Sequence, residues 1–348
     1  FGPVDNDLEI GVRWHKDDVK RLHTQRPYDM VDGALQQANA DRETTLNSHN
    51  DATAIAVHIH DDIRFDRLSV LPGVRYERIT TRTGTRADGP TDPQTHNIWL
   101  PGLGVNVQVF DTLGVFGGTH KGFSPIPPGS PEGTVAETAW NHELGVRFAQ
   151  GDTSLEAVGF YSAYENMTGQ CTLSGGCTDA QLDTQFNGGE AVVRGLETSG
   201  KQAVEVGGGW SVALDANYAW TDARFAADFL SKFPQFGSVE SGDLLPYVPV
   251  HQGSGAVVFE HDLGQIVTRL SGRSGMRNAA GSEDEPEAQR IRAHHSLDMA
   301  AELRLHRNLT LYSNVTNLTN KQTVASWRPF GARPTHPRKW MVGLKARL

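Results

Sequence analysis

The chain has 348 residues, 38% of them hydrophobic, and a formal net charge of −9. The acidic balance excludes a nucleic-acid binder, which needs clustered cationic surface, and no stretch approaches the roughly 20 apolar residues of a membrane helix. A mean hydropathy of −0.43 reads as soluble, but a membrane β-barrel alternates lipid-facing and lumen-facing residues and also averages out as polar.

The chain opens on Phe1-Gly2-Pro3, a turn-like sequence before a strand, with no basic, apolar secretory leader. It reads as a piece of a longer protein. From there short turns and long polar segments take turns. A polar segment at 24–47 is followed by a short turn near Phe65-Asp66, a polar segment at 86–96 and a short turn near Phe110-Asp111. The pattern continues through 122–135, Gly151-Asp152, 167–189, Gly207-Gly208, 224–247, Leu263-Gly264, 278–290, His306-Arg307 and 318–337. Short turns on one side and long loops on the other are the habit of outer-membrane barrels, and a soluble sandwich has no reason to sort its loops this way.

Within the strands the period is two. Leu113 opens LGVFGGTHKGFSP, which breaks at Gly122-Phe123-Ser124-Pro125; a second strand resumes at Glu137 and carries Asn141, Glu143, Leu144, Gly145 and Arg147. Trp210, Val212, Leu214, Ala216, Tyr218 and Trp220 share one face of a strand; Ser211, Ala213, Asp215, Asn217 and Thr221 share the other. Leu297, Met299, Ala301, Leu303 and Leu305 stand opposite Asp298, Glu302 and Arg304, and Trp340, Val342, Leu344, Ala346 and Leu348 stand opposite Lys345 and Arg347. The apolar face suits lipid and the polar face a watery or plugged lumen, with Trp and Tyr near strand ends as interfacial girdles. The count is about fourteen strands, an even number as bacterial up-and-down barrels require. A short loop helix is expected around Ala223–Lys232, and no domain boundary is visible in 1–348.

No catalytic constellation is legible: Gly-x-Ser-x-Gly, a phosphate-cradling glycine loop and His-Glu-x-x-His are all missing. His58 and His60 share a strand face and His294-His295 are adjacent, but no third ligand is visible in sequence. They read as polar lumen or loop residues and not as a metal site.

Several strands carry family motifs. They are Leu71-Pro72-Gly73-Val74-Arg75-Tyr76-Glu77, Leu100-Pro101-Gly102-Leu103-Gly104, Val193-Arg194-Gly195-Leu196-Glu197, Pro246-Tyr247-Val248-Pro249-Val250-His251, Asn314-Val315-Thr316-Asn317-Leu318-Thr319-Asn320-Lys321, and Gly331-Ala332-Arg333-Pro334 with Pro337-Arg338. Taken in order, with the Leu113–Arg147 unit, they resemble the barrel of TonB-dependent outer-membrane receptors. The resemblance implies an all-β, transmembrane, antiparallel up-and-down barrel of about 22 strands around a plug. Of that barrel this chain would supply the last fourteen or so, without the plug. An open partial barrel leaves two strand edges to be covered. Arg75 and Glu77 would sit together on the lumen face as scaffold.

The implied function is energy-coupled uptake of a ferric chelate across the bacterial outer membrane. The implied partners are the TonB–ExbB–ExbD complex, reached through the plug, and outer-membrane lipid and lipopolysaccharide. The receptor would be a monomer with no cofactor and no enzymatic activity. Residues 8–35 and the Lys121–Pro125 loop resemble receptors of the ferric-dicitrate type. Such an anionic ligand needs guanidinium forks and amide donors in the outer vestibule. The candidates are Arg26, His120, Lys121, Gln185, Arg277, Asn278, Trp327, Arg328 and Arg333; each could equally solvate a loop or meet lipopolysaccharide phosphate. The loop lacks the Phe-Arg-Ala-Pro and Asn-Pro-Asn-Leu pattern of haem receptors. A haem, cobalamin or carbohydrate ligand, a passive porin-like channel and a soluble β-protein for adhesion or carbohydrate binding stay as alternatives. In the oxidising compartment that the family implies, Cys171 and Cys177, either side of Thr-Leu-Ser-Gly-Gly, read as a loop disulfide, with a zinc pair as the other reading.

Overall fold

A computed structural model describes residues 4–85, 87–90, 92–130, 133–170, 185–187, 189–231, 235–283, 285–287, 289–328 and 331–347. Fourteen long strands form one antiparallel sheet in which every strand pairs with its neighbour in sequence. They are β1 (Val4–Gln25), β2 (Glu43–Phe65), β3 (Leu68–Thr85), β4 (Gln94–Phe110), β5 (Leu113–Ser124), β6 (Glu137–Gln150) and β7 (Thr153–Glu165), then β8 (Ala191–Gly207), β9 (Trp210–Phe225), β10 (His251–His261), β11 (Gly264–Arg273), β12 (His294–His306), β13 (Leu309–Thr316) and β14 (Lys339–Ala346). The sheet ends on β1 and β14, which do not pair with each other among the described residues.

The short turns and the long segments fall where the sequence puts them. Register shifts at Gln108/Phe110, Glu205/Gly207 and Arg304/His306 lie beside short turns, where a bulge tightens the hairpin. The long connections carry two-stranded hairpins of their own: Tyr28–Val31 with Ala34–Gln37, Thr168–Gln170 with Gln185–Asn187, Phe229–Leu230 with Ser238–Val239, and Val324–Ser326 with Arg333–Pro334.

The helix expected at Ala223–Lys232 does not form over the described part of that range. Ala223 and Phe225 end β9, and Phe229–Leu230 is a strand. The reason is the spacing of the apolar residues: Ala223 and Phe225 alternate with exposed Arg224 and are 3% and 1% accessible, so period two wins over local helix propensity. Lys232 lies outside the described residues, as do Cys171 and Cys177.

The wall has no apolar core of the globular kind. Its outer face shows Leu8, Ile10, Val12 and Trp14 on β1, and Trp340, Val342 and Leu344 on β14, all strongly exposed. Trp99, Trp140, Tyr161 and Trp340 also lie on the outward face in the long-loop half of their strands, and Trp14 and Tyr76 lie midway along the two longer strands beside them, which makes an outer aromatic belt. The opposite face carries ion pairs: Arg75 Nε donates to Glu77 Oε1 at 2.6 Å, Arg147 Nε to Glu156 Oε2 at 2.6 Å, and Lys345 Nζ to Glu302 Oε1 at 2.5 Å. Arg75 and Glu77 thus pair on the polar face, as the motif suggests.

Inward rings cover glycines on adjacent strands. Phe116 faces Gly145, Phe160 faces Gly195, Tyr312 faces Gly343 and His58 faces Gly11 in register. A methyl group at Gly145 would sit 2.5 Å from Phe116 Cζ, and one at Gly343 2.5 Å from Tyr312 Cζ. The missing side chain lets each ring lie flat against the backbone, a close approach that strand glycines provide.

The rim is uneven. β1 and β2 have 22 and 23 residues; β13 and β14 have 8 each. A barrel strand needs only about 9–11 residues to cross the bilayer. Above Trp14, β1 reads HKDDVKRLHTQ, polar at all but Val19 and Leu22, so both faces of that stretch suit water.

Candidate functional site

Three long loops meet at the outer end of the wall. Among the described residues the largest fully buried side chains, Phe225, Val239 and Ile291, all belong to this layer. Phe225 packs edge-on against Phe229 (5.2 Å) and Phe236 (6.0 Å), with Ala191 and Leu245 beside them. Backbone hydrogen bonds then join the 226–250 loop to the 274–293 loop: Leu244 N to Gly281 O, Tyr247 N to Arg277 O, and Ala280 N to Gln235 O.

Tyr247 ties in the third loop. Its backbone is left-handed, φ +63°, which an aromatic residue adopts only when its surroundings demand it. The hydroxyl donates to Asn278 Oδ1 at 2.6 Å and lies 3.4 Å from Ser326 Oγ. Asn278 N donates to Glu285 Oε1 at 2.8 Å. Ser326 Oγ accepts from Arg328 N and donates to Arg328 O. Among the described residues, Glu285 Oε2 and Trp327 Nε1 are buried without a hydrogen-bond partner, an acceptor and a donor in the same layer. A cavity of about 380 Å³ runs beneath, lined by Leu244, Met276, Arg277, Glu283, Glu285 and Arg290.

Five of the nine sequence candidates fall in this layer. Arg277 spends Nε on Ala279 O and Nη1 on Glu283 O, so it shapes its own loop. Asn278 is 5% exposed and acts in the junction. Trp327 and Arg328 are half-buried beside Ser326, and Arg333 is exposed on the paired strand. The other four lie apart. Arg26 is exposed just past the outer end of β1, and Gln185 is in the small 185–187 strand. His120 is inward, opposite Gly102 and Asn141; Lys121 is outward, opposite Trp140 in the belt. Tyr247, Glu285 and Ser326 were missed as site residues. Pro246 and Pro249 around Tyr247 are the one signal of a constrained backbone there.

A second cluster lies on the lumen face of β1 and β2. Glu9, His58 and His60 turn donor atoms together, all within 4.8 Å of one another. The third partner absent from the linear reading comes from the next strand, since Glu9 stands opposite His60 in register.

A sequentially paired antiparallel wall with an apolar outer face, an aromatic belt, short turns at one end and packed loops at the other is the wall of an outer-membrane barrel. The chain belongs to the TonB dependent receptor-like, beta-barrel family, whose description matches residues 1–318. It is 24% identical over 296 residues to the pesticin receptor of Yersinia pestis, covering 76% of this chain and 41% of that protein. It is 22% identical over 347 residues to the ferrichrome outer membrane transporter/phage receptor of Escherichia coli K12, covering 93% and 43%. The chain thus spans less than half the length of these relatives. The unliganded ferric citrate transporter FecA superposes with a TM-score of 0.74 at 19% identity, over 99% of this chain and 52% of that one, a likeness of fold.

Proposed function

We propose that this chain forms barrel wall and outer vestibule of an energy-coupled receptor for a ferric chelate, with ferric dicitrate or another siderophore complex as the ligand. The observation that carries the reading is the Tyr247–Asn278–Ser326 junction. It holds three long loops in one arrangement at the mouth, with Arg328 and Arg333 in the third of them. Preorganised donors of this kind suit an anionic chelate better than a floppy loop does, because less ordering entropy is lost on binding. The ferrichrome and ferric citrate transporters among the similar proteins support the ligand class by their names.

In this reading the loops capture the chelate, the TonB–ExbB–ExbD complex pulls on a plug inside the barrel, and the chelate passes along the polar face. The fourteen strands are then the C-terminal portion of the barrel, and β1 and β14 pair with other strands of it. These residues need to make or break no covalent bond.

Binding to the detergent-solubilised receptor, followed by tryptophan fluorescence, compares ferric citrate, ferrichrome, haem and cobalamin. Saturable binding of a ferric chelate, together with uptake that stops when the proton-motive force is collapsed, is the expected result. Preference for haem or cobalamin sinks the ligand assignment. Uptake that persists without energisation would establish the passive channel instead.

A further inference from the structure

We propose that Glu9, His58 and His60 form a reversible site for a divalent transition-metal ion on the lumen wall, a site independent of the chelate reading. His58 Nε2 lies 3.0 Å from Glu9 Oε1, and His60 Nε2 lies 3.9 Å from Glu9 Oε2. A tetrahedral ion bound at about 2.0–2.1 Å holds its donors about 3.3 Å apart. The side chains of Glu9 and His60 are 62% and 47% exposed, so side-chain rotation closes the remaining gap without moving backbone.

The wall positions His58 more firmly. Its ring lies over Gly11, where any side chain would overlap the imidazole. Nδ1 is buried against the wall and lacks a hydrogen-bond partner, while Nε2 faces Glu9. The His60 ring runs nearly parallel, 17° away with 6.1 Å between centroids, and both Nε2 atoms turn to the Glu9 carboxylate. Two imidazoles and one carboxylate select zinc and its first-row neighbours over magnesium or calcium, which prefer all-oxygen shells.

The remaining coordination positions face open space. Across the sheet, His60 is followed in register by Gly73 and then Gly102, so at this rung the next two strands send no side chain into the lumen. The hollow there measures about 520 Å³ and is bordered by His58, His60, Arg75 and His120. Three protein ligands with an open side leave room for water or for a donor from another part of the receptor. Among the described residues no carboxylate or carbonyl holds His58 Nδ1, and a site lacking that outer support binds more weakly. Exchange is therefore expected, in contrast to a permanently held structural ion.

The test uses the receptor purified from the outer membrane in detergent. Co²⁺ is the probe, read by its visible absorption, and Zn²⁺ and Mg²⁺ are competitors. One Co²⁺ equivalent with a two-imidazole signature, displaced by Zn²⁺ and not by Mg²⁺, is expected. His60→Gln and Glu9→Gln should each weaken it at least about tenfold. His142→Gln, on the outward face beside Trp140, should leave it unchanged. Both exposed-residue variants keep the His58–Gly11 packing, and heat-modifiable gel mobility reports that the barrel is folded. If folded His60→Gln and Glu9→Gln bind Co²⁺ as the parent does, the proposal fails, and the three groups are hydrogen-bonded lumen residues only.

Discussion

The Tyr247 hydroxyl reaches Asn278 Oδ1 at 2.6 Å from a left-handed backbone, so one strained residue joins two loops about thirty positions apart. Asn278 is nearly inaccessible, and no water takes over its acceptor cheaply. The strain is offset by the contacts that the loop layer gains.

Tyr247→Phe removes this donor and keeps the ring. We expect a local loss of about 1–3 kcal/mol, the cost of an unsatisfied buried acceptor. Hydrogen exchange should speed up in the 226–250 and 274–293 loops and stay slow in β3 to β6. Unchanged loop protection would show that the bond contributes nothing.

Arg277 and Arg333 should separate. Arg277 is engaged with carbonyls of its own loop, whereas Arg333 is exposed on its hairpin. Arg277→Ala is expected to raise protease sensitivity of the loop. Arg333→Ala should leave the loop intact and weaken ferric citrate binding several-fold. Identical behaviour of the two variants in both assays would contradict the separate roles.

Gly145 and Phe116 form a testable pair. Gly145→Ala pushes a methyl into the ring and should cost about 1–3 kcal/mol, as overpacking does. In a Phe116→Ala background the same change should be nearly neutral. A double-mutant cycle on urea unfolding in lipid vesicles measures the coupling, and simple additivity of the two changes counts against the contact.

The two faces of the wall should respond differently to charge. Met299→Arg, on the lipid face of β12, is expected to cost about 2–4 kcal/mol if it sits near the bilayer midplane. Asn217→Lys, on the polar face of β9 beside Glu156 and Glu197, should cost close to nothing. The same vesicle unfolding assay compares them, and equal costs would undo the assignment of faces.

Much of the wall is legible in the sequence because each strand repeats one rule. Trp210 to Trp220 alternates cleanly, and the two-residue turns carry Gly, Asp or Asn. Arg75 and Glu77 are two apart on a strand, so their shared face follows from the pleat alone. The site is legible only in part. Arg277 and Asn278 stand out as polar loop residues, yet the role of Asn278 depends on a partner about thirty positions away at Tyr247. Glu9 meets His60 across a strand pair whose register no local pattern announces. The Ala223–Lys232 segment misleads for the opposite reason: its alanines favour helix locally, while burial under the loop layer holds Ala223 and Phe225 in the strand.

β1 and β2 pair residue for residue from Val4↔Phe65 up to His23↔Leu46, with a single irregularity at His23/Thr24. The part that stands in the outside medium and the part that crosses the lipid are therefore one ladder with no joint between them. A tug or a bend applied at the outer tip is shared among many hydrogen bonds instead of being absorbed at a hinge. It arrives, in register, at the rung where Glu9 faces His60. On this side of the barrel one continuous ladder links the outer surface to the inner wall.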